Sequence, residues 1–294
     1  VDLFFVLSGF LIAGKLINER RASGRVDLVG FWAGRFRRLL PALLFVMVGV
    51  AAYAQFFAEP VTLHDIRIDG FAALAYVANW RFILDDVGYF AGTAAPSPVR
   101  HLWSLSVEEQ FYLLFPVLLV VLARRARSAR QLVPTFAALV AASTMWTGYL
   151  AWRGAEPTRL YEGTDTRLAT ILIGVVVAIV VRTWRGPPAG LGPAAGVGAA
   201  VAVAIAVVAR GDARWMYPLG QLGFAIAVAV VIAAAATLRR GPAIAVLSSA
   251  PFVWLGAISY SLYLWHWPVY VLLTPDRTGL HGLVLFALRV AVSL

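Results

Sequence analysis

The stretch Tyr217-Pro-Leu-Gly-Gln-Leu-Gly-Phe-Ala-Ile-Ala-Val-Ala-Val-Val-Ile-Ala-Ala-Ala-Ala-Thr237 carries no charged side chain. An α-helix needs about 20 consecutive apolar residues to cross the hydrocarbon core of a bilayer, so this stretch predicts a membrane-spanning helix. Comparable apolar runs recur along the chain. These candidate segments are residues 2–18, 39–58, 70–84, 105–123, 132–152, 168–182, 189–209, 217–237, 250–273 and 281–294.

The composition points the same way. Of the 294 residues, 61% are hydrophobic and 14% are charged, and the mean hydropathy is +0.80. A soluble domain is about 45–50% apolar and about 25% charged, so an ordinary cytosolic enzyme and a disordered protein are both excluded. We predict an all-α fold, a polytopic membrane helix bundle with about nine to ten transmembrane or re-entrant segments. We expect a single domain over residues 1–294 that is truncated at both ends, within apolar runs.

The net charge of +10 does not indicate a nucleic-acid partner. The basic residues are spread between the apolar runs, whereas a nucleic-acid-binding protein gathers them on one polar face. The chain contains no cysteine, which excludes disulfides and zinc–thiolate sites. No spacing of His, Asp and Glu suggests a metal site either, and we expect none.

The arginines between apolar runs suggest an orientation, because short cytoplasmic loops of membrane proteins are enriched in Lys and Arg. Residues 18–38 contain six arginines and residues 124–130 contain four, so both loops are predicted to be cytoplasmic. They would face opposite sides if every apolar run between them crossed the membrane. We therefore expect that 70–84, which contains Arg81, does not cross, and that 59–104 lies on the outer side and partly re-enters the membrane.

The stretch His101-Leu-Trp-Ser-Leu-Ser-Val-Glu-Glu-Gln-Phe-Tyr112 brings ionisable side chains to the start of an apolar helix. Ser106 and Glu109 fit a capping box, in which each side chain accepts a hydrogen bond from the other residue's backbone N–H. That structural interpretation does not account for Glu108 or His101. Ionisable groups at a membrane boundary suggest function, and a histidine near carboxylates is a candidate proton acceptor.

A second candidate is the pair Arg35 and Arg38, which are i, i+3 neighbours and so share one helix face. Pro41 follows and suits the first turn of a helix, where its missing N–H costs nothing. Paired guanidinium groups on the cytoplasmic side are suited to holding phosphates by bidentate hydrogen bonds. The alternative is that both arginines only anchor the helix on the cytoplasmic side.

A third candidate is a polar stripe within the run 250–273. Ser259, Tyr263, His266 and Tyr270 are spaced 4, 3 and 4 residues apart, which aligns them on one face of a helix. Pro268 has no backbone N–H, so it leaves the carbonyl of Leu264 without its helical partner and kinks the helix. The stripe is predicted either to line a pocket or to form hydrogen bonds between helices without any chemistry.

Two shorter features complete the set. Thr164 or Asp165 is a candidate cap for the helix that follows, and Asp165 and Arg167 would then lie at its outer end, near a polar acceptor. The alternative there is a solvated loop. Ser8 and Gly9 are small residues in an apolar helix, and we interpret them as packing residues.

Together these stretches resemble the integral-membrane acyltransferase family 3, which includes O-antigen and peptidoglycan O-acetylases. The resemblance follows the family's order along nearly the whole chain. The matching stretches are Phe4-Phe-Val-Leu-Ser-Gly-Phe-Leu-Ile12, Arg35-x-x-Arg38-x-x-Pro41, His101-Leu-Trp-Ser-Leu-Ser-Val-Glu-Glu-Gln-Phe-Tyr112, Gly163-Thr-Asp-Thr-Arg167 and Gly256-Ala-Ile-Ser-Tyr-Ser-Leu-Tyr-Leu-Trp-His-Trp-Pro268.

The resemblance implies a multi-pass protein of the bacterial inner (cytoplasmic) membrane that moves an acyl group, usually acetyl, from cytoplasmic acyl-CoA to a hydroxyl outside. The acceptor would be a surface polysaccharide, peptidoglycan or a secreted metabolite. No bound cofactor is implied, since acetyl-CoA is the donor substrate. By resemblance, Arg35 and Arg38 would bind the phosphates of the donor. The residues expected to polarise or line the pocket are His101, Glu108, Glu109, Asp165, Arg167, Ser259, Tyr260, Tyr263 and His266.

One departure from the family bears on activity. The family's catalytic histidine lies in a helix before the Phe4–Ile12 block, and no residue of this sequence corresponds to it. We therefore expect these 294 residues alone to be inactive. Two other classes remain open on the residues: a transporter or flippase that uses the same polar groups as a substrate path, and a sensor or scaffold without turnover.

Overall fold

The computed structural model describes residues 1–85, 96–184, 186–209 and 213–294. Every regular element within these ranges is helical, which confirms the predicted all-α class. In chain order the helices are α1 (Asp2–Ser23), α2 (Leu28–Phe56), α3 (Leu63–Leu74), α4 (Ala78–Leu84), α5 (Trp103–Arg125), α6 (Val133–Trp152), α7 (Pro157–Glu162), α8 (Thr164–Thr183), α9 (Leu191–Val208), α10 (Leu219–Thr237), α11 (Pro242–Leu247), α12 (Ala250–Leu272), α13 (Pro275–Thr278) and α14 (Gly282–Ser293). Short 3₁₀ turns are found at Pro60–Thr62, Arg100–Leu102, Ala129–Leu132 and Arg214–Met216.

Among the described helices, five segments are long and apolar enough to cross a membrane. They are Leu28–Phe56, Arg100–Arg125, Pro157–Thr183, Leu191–Val208 and Leu219–Thr237. The last of these lies within the uncharged stretch 217–237 quoted above. The set agrees with a polytopic membrane protein. The larger number of nine to ten segments remains a prediction.

The chain divides into two compact units. Unit 1 consists of Val1–Leu28 and Val107–Ala245, and unit 2 consists of Val29–Ser106 and Val246–Leu294. Helix α5 contributes its first turn to unit 2 and its remainder to unit 1.

Unit 1 is organised around α8, which packs against α1, α6 and α10. Two glycines allow the backbones of α1 and α8 to come into contact. A Cβ atom on Gly9 would lie 2.0 Å from the carbonyl oxygen of Ile171, and one on Gly174 would lie 2.0 Å from that of Val6. Small residues permit this kind of close packing between membrane helices, so the interpretation of Gly9 as a packing residue is confirmed.

Unit 2 contains α2 and α12, which meet at an aromatic contact. The Trp265 ring of α12 lies over Gly49 of α2, where an added Cβ would be 2.6 Å from the ring. Phe45, one turn earlier on α2, meets the same ring edge-to-face at 5.5 Å between centroids. Helix α12 also packs against α14 and against the 3₁₀ turn Arg100–Leu102.

The structure corrects the predicted start of α2. The helix begins at Leu28, so Pro41 lies in its interior and not in its first turn. The sequence pattern misled because proline is favoured in a first turn, but a membrane helix also tolerates it where neighbouring groups satisfy the freed carbonyl. Arg35 and Arg38 consequently belong to a continuous helix that starts well before them.

The run 70–84, which we expect not to cross the membrane, is not one continuous helix. Helix α3 ends at Leu74 and α4 begins at Ala78, and between them Tyr76 adopts a left-handed conformation with φ of 56°. The side of the membrane on which this region lies remains a prediction.

Arg81 joins α3 to α4 through carboxylates on both helices. Its guanidinium lies 3.5 Å from Asp65 and 3.3 Å from Asp69, and it also pairs with Asp85. Burial raises the pKa of the Asp69 carboxyl, so Asp69 is costly to keep charged and depends on its cation. The charge of Arg81, which would be costly to place in lipid, is thus paired with two carboxylates of α3 and with Asp85, which follows α4.

The contact between α1 and α8 leads to a stability prediction. Gly174→Ala places a methyl group against backbone atoms that cannot move independently, and overpacking of this kind costs about 1–3 kcal/mol. We expect a lower thermal unfolding midpoint for the detergent-solubilised protein. Gly196→Ala on α9 is the control, because a Cβ there meets nothing within 4 Å. Equal midpoints for the two variants would show that the glycine contact does not limit packing.

Candidate functional site

His101 lies on the 3₁₀ turn before α5 and is only 7% exposed. Its Nε2 atom is 3.2 Å from the carbonyl oxygen of Leu264 on α12. Pro268 lacks the N–H that would bond this carbonyl within the helix, as the sequence predicted. The N–H of the His101 imidazole therefore bonds the carbonyl that Pro268 leaves without a helical donor.

This contact fixes the tautomer of His101. A carbonyl oxygen only accepts hydrogen bonds, so Nε2 carries the proton, and in the neutral ring Nδ1 carries a lone pair. The Nδ1 atom is buried. The site thus holds a histidine whose basic nitrogen makes no hydrogen bond within the described residues.

Tyr263 and Ser104 hold the turn that carries His101. The Tyr263 hydroxyl donates to the backbone carbonyl of His101 at 2.5 Å, and the Ser104 hydroxyl lies 2.7 Å from the same phenol oxygen. Since the phenol has one proton, which goes to the carbonyl, Ser104 is the donor in the second bond. The Tyr263 hydroxyl thus links the carbonyl of His101 to the Ser104 side chain and holds the turn against α12.

His266 is a second histidine beside His101. The rings of His101 and His266 have centroids 5.3 Å apart, and Nδ1 of His266 lies 2.6 Å from the carbonyl oxygen of Tyr263. This second histidine is half-buried, and its Nδ1 is occupied as a donor, so Nε2 is its remaining nitrogen. Trp267 donates to the carbonyl of Ser97 at 2.9 Å and so ties α12 to the segment before the turn.

The structure does not bring Ser259 and Tyr260 into this His101 cluster, which consists of His101, Ser104, Tyr263, His266 and Trp267. Ser259 is exposed, and its hydroxyl returns to the carbonyl of Gly256 at 2.8 Å. Tyr260 donates to the carbonyl of Leu39 on α2 at 3.1 Å. Of the predicted stripe on α12, Tyr263 and His266 lie beside His101. Ser259 bonds within its own helix, and the Tyr270 ring lies under the Arg289 guanidinium at 4.5 Å.

Ser106 is not a helix cap, so the capping-box interpretation of Ser106 and Glu109 is wrong. Helix α5 begins at Trp103, and the Ser106 hydroxyl donates to the carbonyl of Leu102 at 3.0 Å. It also accepts from the backbone N–H of Ala78 at 3.2 Å. A cap motif depends on where the helix starts, and the preceding 3₁₀ turn moves that start toward the N-terminus.

In unit 1, Glu108 belongs to a buried chain of hydroxyl groups. The Tyr112 hydroxyl, one turn along α5, donates to the Glu108 carboxylate and also contacts the hydroxyl of Ser8. The interpretation of Ser8 as a packing residue missed this polar contact. Glu109 is buried as well, and the neighbouring Gln110 accepts from the Thr164 hydroxyl at 2.6 Å.

Asp165 is held by other side chains and does not cap α8. The N-cap of α8 is Gly163, and no side chain bonds there, so the expectation of a Thr164 or Asp165 cap is wrong. Arg159 forms a bidentate pair with the Asp165 carboxylate at 2.9 and 2.5 Å, and the Trp146 indole donates to it at 2.6 Å. A carboxylate this well paired is fixed in position.

Arg167 is fully buried, with 1% exposure. Its guanidinium pairs with the Asp2 carboxylate at 2.5 Å and donates from Nε to the carbonyl of Tyr161 at 2.5 Å. The Tyr161 ring lies 4.4 Å from the guanidinium carbon, and the amide oxygen of Gln221 accepts from the same group when the amide is oriented to do so. Arg167 therefore serves as the centre of a buried polar network.

Sequence reasoning missed three members of these networks, namely Asp2, Arg159 and Gln221. Asp2 and Gln221 are polar residues at the head of apolar runs, a signal that should have marked them as partners for a buried charge. Arg159 carried no comparable signal.

Arg35 and Arg38 lie one turn apart on α2. Arg35 is half-buried and Arg38 is exposed. Arg37, between them, directs its Nε to the carbonyl of Ala33 at 3.3 Å. The pair is thus displayed on one helix face at the side predicted to be cytoplasmic.

The sequence of this chain is similar to the sequences of known proteins. The chain matches the model of the family described as "Acyltransferase domain" over residues 1–294. It is 36% identical to the peptidoglycan O-acetyltransferase OatA of Listeria monocytogenes in an alignment of 286 residues that covers 94% of this chain and 45% of that protein. It is 35% identical to the putative peptidoglycan O-acetyltransferase YrhL of Bacillus subtilis over 285 residues, covering 94% of this chain and 44% of the relative.

The O-acetyltransferase OatA of Staphylococcus aureus is also 35% identical over 285 residues, covering 92% of this chain and 45% of that protein. The chain spans less than half the length of these curated relatives. No solved structure gives a significant match. The match to the family model along the whole chain, with the apolar helices already described, makes this an integral membrane protein that belongs to acyltransferase family 3, a family of enzymes that transfer acyl groups.

Proposed function

We propose that the whole protein transfers an acetyl group from acetyl-CoA at the cytoplasmic face of a bacterial inner membrane to a hydroxyl of peptidoglycan outside. The observation that carries the proposal is the similarity, along 94% of this chain, to OatA of Listeria monocytogenes, named a peptidoglycan O-acetyltransferase, and to YrhL of Bacillus subtilis, named a putative one. The buried His101, whose Nδ1 makes no hydrogen bond within the described residues, supports it as a group that can orient and polarise an acceptor hydroxyl.

In this proposal the His101 cluster serves the acceptor. The carbonyl of Leu264 orients the imidazole so that Nδ1 accepts a hydrogen bond from the sugar hydroxyl. Tyr263 and Ser104 keep the turn that carries His101 in place. Arg35 and Arg38 serve the donor, since guanidinium groups one turn apart match the phosphates of CoA. Glu108 and Glu109 add negative charge to the first turns of α5, and the Arg167 network keeps α1 and α8 together.

The test of the function uses membranes that contain the whole protein, acetyl-CoA labelled in the acetyl group, and peptidoglycan as acceptor. Membranes without the protein are the control. We expect label in the peptidoglycan as a base-labile O-acetyl ester. A transporter, flippase or scaffold would leave the acceptor unlabelled, and that result would reject the proposal.

A second experiment addresses the donor site. The double variant Arg35→Gln, Arg38→Gln should raise the apparent KM for acetyl-CoA by about tenfold or more, because each lost guanidinium–phosphate contact costs about 1.5–3 kcal/mol. The KM for the acceptor should stay within about twofold of the parent. Arg37→Gln removes the same charge from the same helix and serves as the control. An unchanged donor KM in the double variant would refute the phosphate-binding role.

A third experiment asks what His101 does. In His101→Gln the amide nitrogen can still donate to the Leu264 carbonyl, but the lone pair at the position of Nδ1 is lost. If that lone pair holds and polarises the acceptor hydroxyl, kcat should fall about tenfold, as for the loss of one hydrogen bond, while the thermal midpoint changes little. His281→Gln, at an exposed histidine, is the matched control. A His101→Gln enzyme with parental kcat would make the role of His101 structural.

A further inference from the structure

A cavity of about 310 Å³ lies in unit 1 between the C-terminal ends of α1 and α5. Apolar side chains form its walls, among them Leu16, Leu119 and Leu132, which are all buried. Three arginines, Arg20, Arg21 and Arg127, also line it. Ligand pockets in proteins are typically about 300–1,000 Å³, so the space is sufficient for a small polar group.

Two of the arginines are held in place by the ends of neighbouring helices. The Arg20 guanidinium donates to the carbonyl of Ala123 in the last turn of α5. The Arg21 guanidinium donates to the carbonyl of Arg182 in the last turn of α8 at 3.3 Å. Such carbonyls have no partner within their own helix. A guanidinium has five N–H donors, so each group keeps donors for a ligand after making this contact.

The third arginine is positioned by a defined loop. The Gln131 side chain accepts from the backbone N–H of Arg127 at 2.7 Å, and Ser128 and Gln131 form a reciprocal cap on the turn Ala129–Leu132. Within the described residues, the Arg127 guanidinium itself forms no hydrogen bond or ion pair. The loop thus holds a cation whose donors are all available.

No carboxylate in the described residues neutralises the three arginines. Glu19, the acidic neighbour on α1, instead accepts from the backbone N–H of Asp27 at 2.7 Å. The helix ends contribute only partial negative charge, equivalent to about half an elementary charge each. The cavity is therefore positive, and its preferred occupant is an anion.

We propose that this cavity binds the headgroup of an anionic phospholipid, with the phosphate at Arg20, Arg21 and Arg127 and the acyl chains in the surrounding membrane. A soluble anion would be held by the arginines alone, whereas the acyl chains of a phospholipid also anchor it beside apolar helices such as α5. The loops 18–38 and 124–130 are predicted to be cytoplasmic, and basic pockets between membrane helices on that side suit anionic lipid headgroups.

The test measures lipid retention by native mass spectrometry of the purified whole protein in detergent. The probes are dioleoyl phosphatidylglycerol and, as a zwitterionic control with the same chains, dioleoyl phosphatidylcholine. Arg127→Gln should weaken phosphatidylglycerol binding at least about tenfold, as expected for one charge-assisted hydrogen bond, without lowering the thermal midpoint. Arg124→Gln is the matched control, because Arg124 is exposed and does not line the cavity.

Two further arms separate the alternatives. Ala126→Phe fills the cavity without changing its charge and should also reduce phosphatidylglycerol binding. Equal losses in Arg127→Gln and Arg124→Gln, or parental binding in both Arg127→Gln and Ala126→Phe, would overturn the proposal in favour of a diffuse basic surface. Displacement of phosphatidylglycerol by equimolar glycerol 3-phosphate or coenzyme A would overturn it in favour of a soluble phosphate ligand.

Discussion

The hydrocarbon core of a bilayer offers no water to a backbone group that has lost its helical partner, and each such group costs several kcal/mol if nothing replaces it. Pro268 creates one of these groups by leaving the carbonyl of Leu264 unpaired. The imidazole of His101 replaces the missing N–H at 3.2 Å. Because this contact uses Nε2 as a donor, it also determines that Nδ1 is the basic nitrogen. The proline in α12 thereby fixes which nitrogen of His101 carries the proton.

The same requirement organises unit 1 around a buried charge. Arg167 has its cationic group balanced by Asp2 and its remaining donors directed to the carbonyl of Tyr161 and the amide of Gln221. Removing one partner of a buried ion pair is far more costly than the pair's net contribution to stability. This network therefore specifies one arrangement of α1 against α8. The glycine contacts at Gly9 and Gly174 allow that arrangement, since any side chain there would hold the two backbones apart.

Features that depend on one segment were predictable from the sequence. Apolar length identified the membrane helices, and the chemistry of proline identified the freed carbonyl of Leu264. Features that depend on partners distant in the chain were not, such as Ser8 beside Tyr112 or Arg167 beside Asp2. The two capping predictions failed for a related reason. A cap depends on where the helix starts. The turn Arg100–Leu102 moves the start of α5 ahead of Ser106, and at α8 the cap position is Gly163, so Asp165 lies inside the first turn.

The two arginine sets of the chain differ in what surrounds them, and this difference determines what each is suited to bind. Arg35 and Arg38 stand one turn apart on a single helix, an arrangement that suits a flexible polyphosphate approaching from water, since it needs no enclosing wall. Arg20, Arg21 and Arg127 come from two segments and converge on a cavity with apolar sides. A phosphate carried by a lipid is held near this cavity by its acyl chains in the membrane around α5, an anchor that a soluble anion lacks. The first set therefore fits a soluble donor such as acetyl-CoA, and the second fits a lipid that carries both phosphate and hydrocarbon.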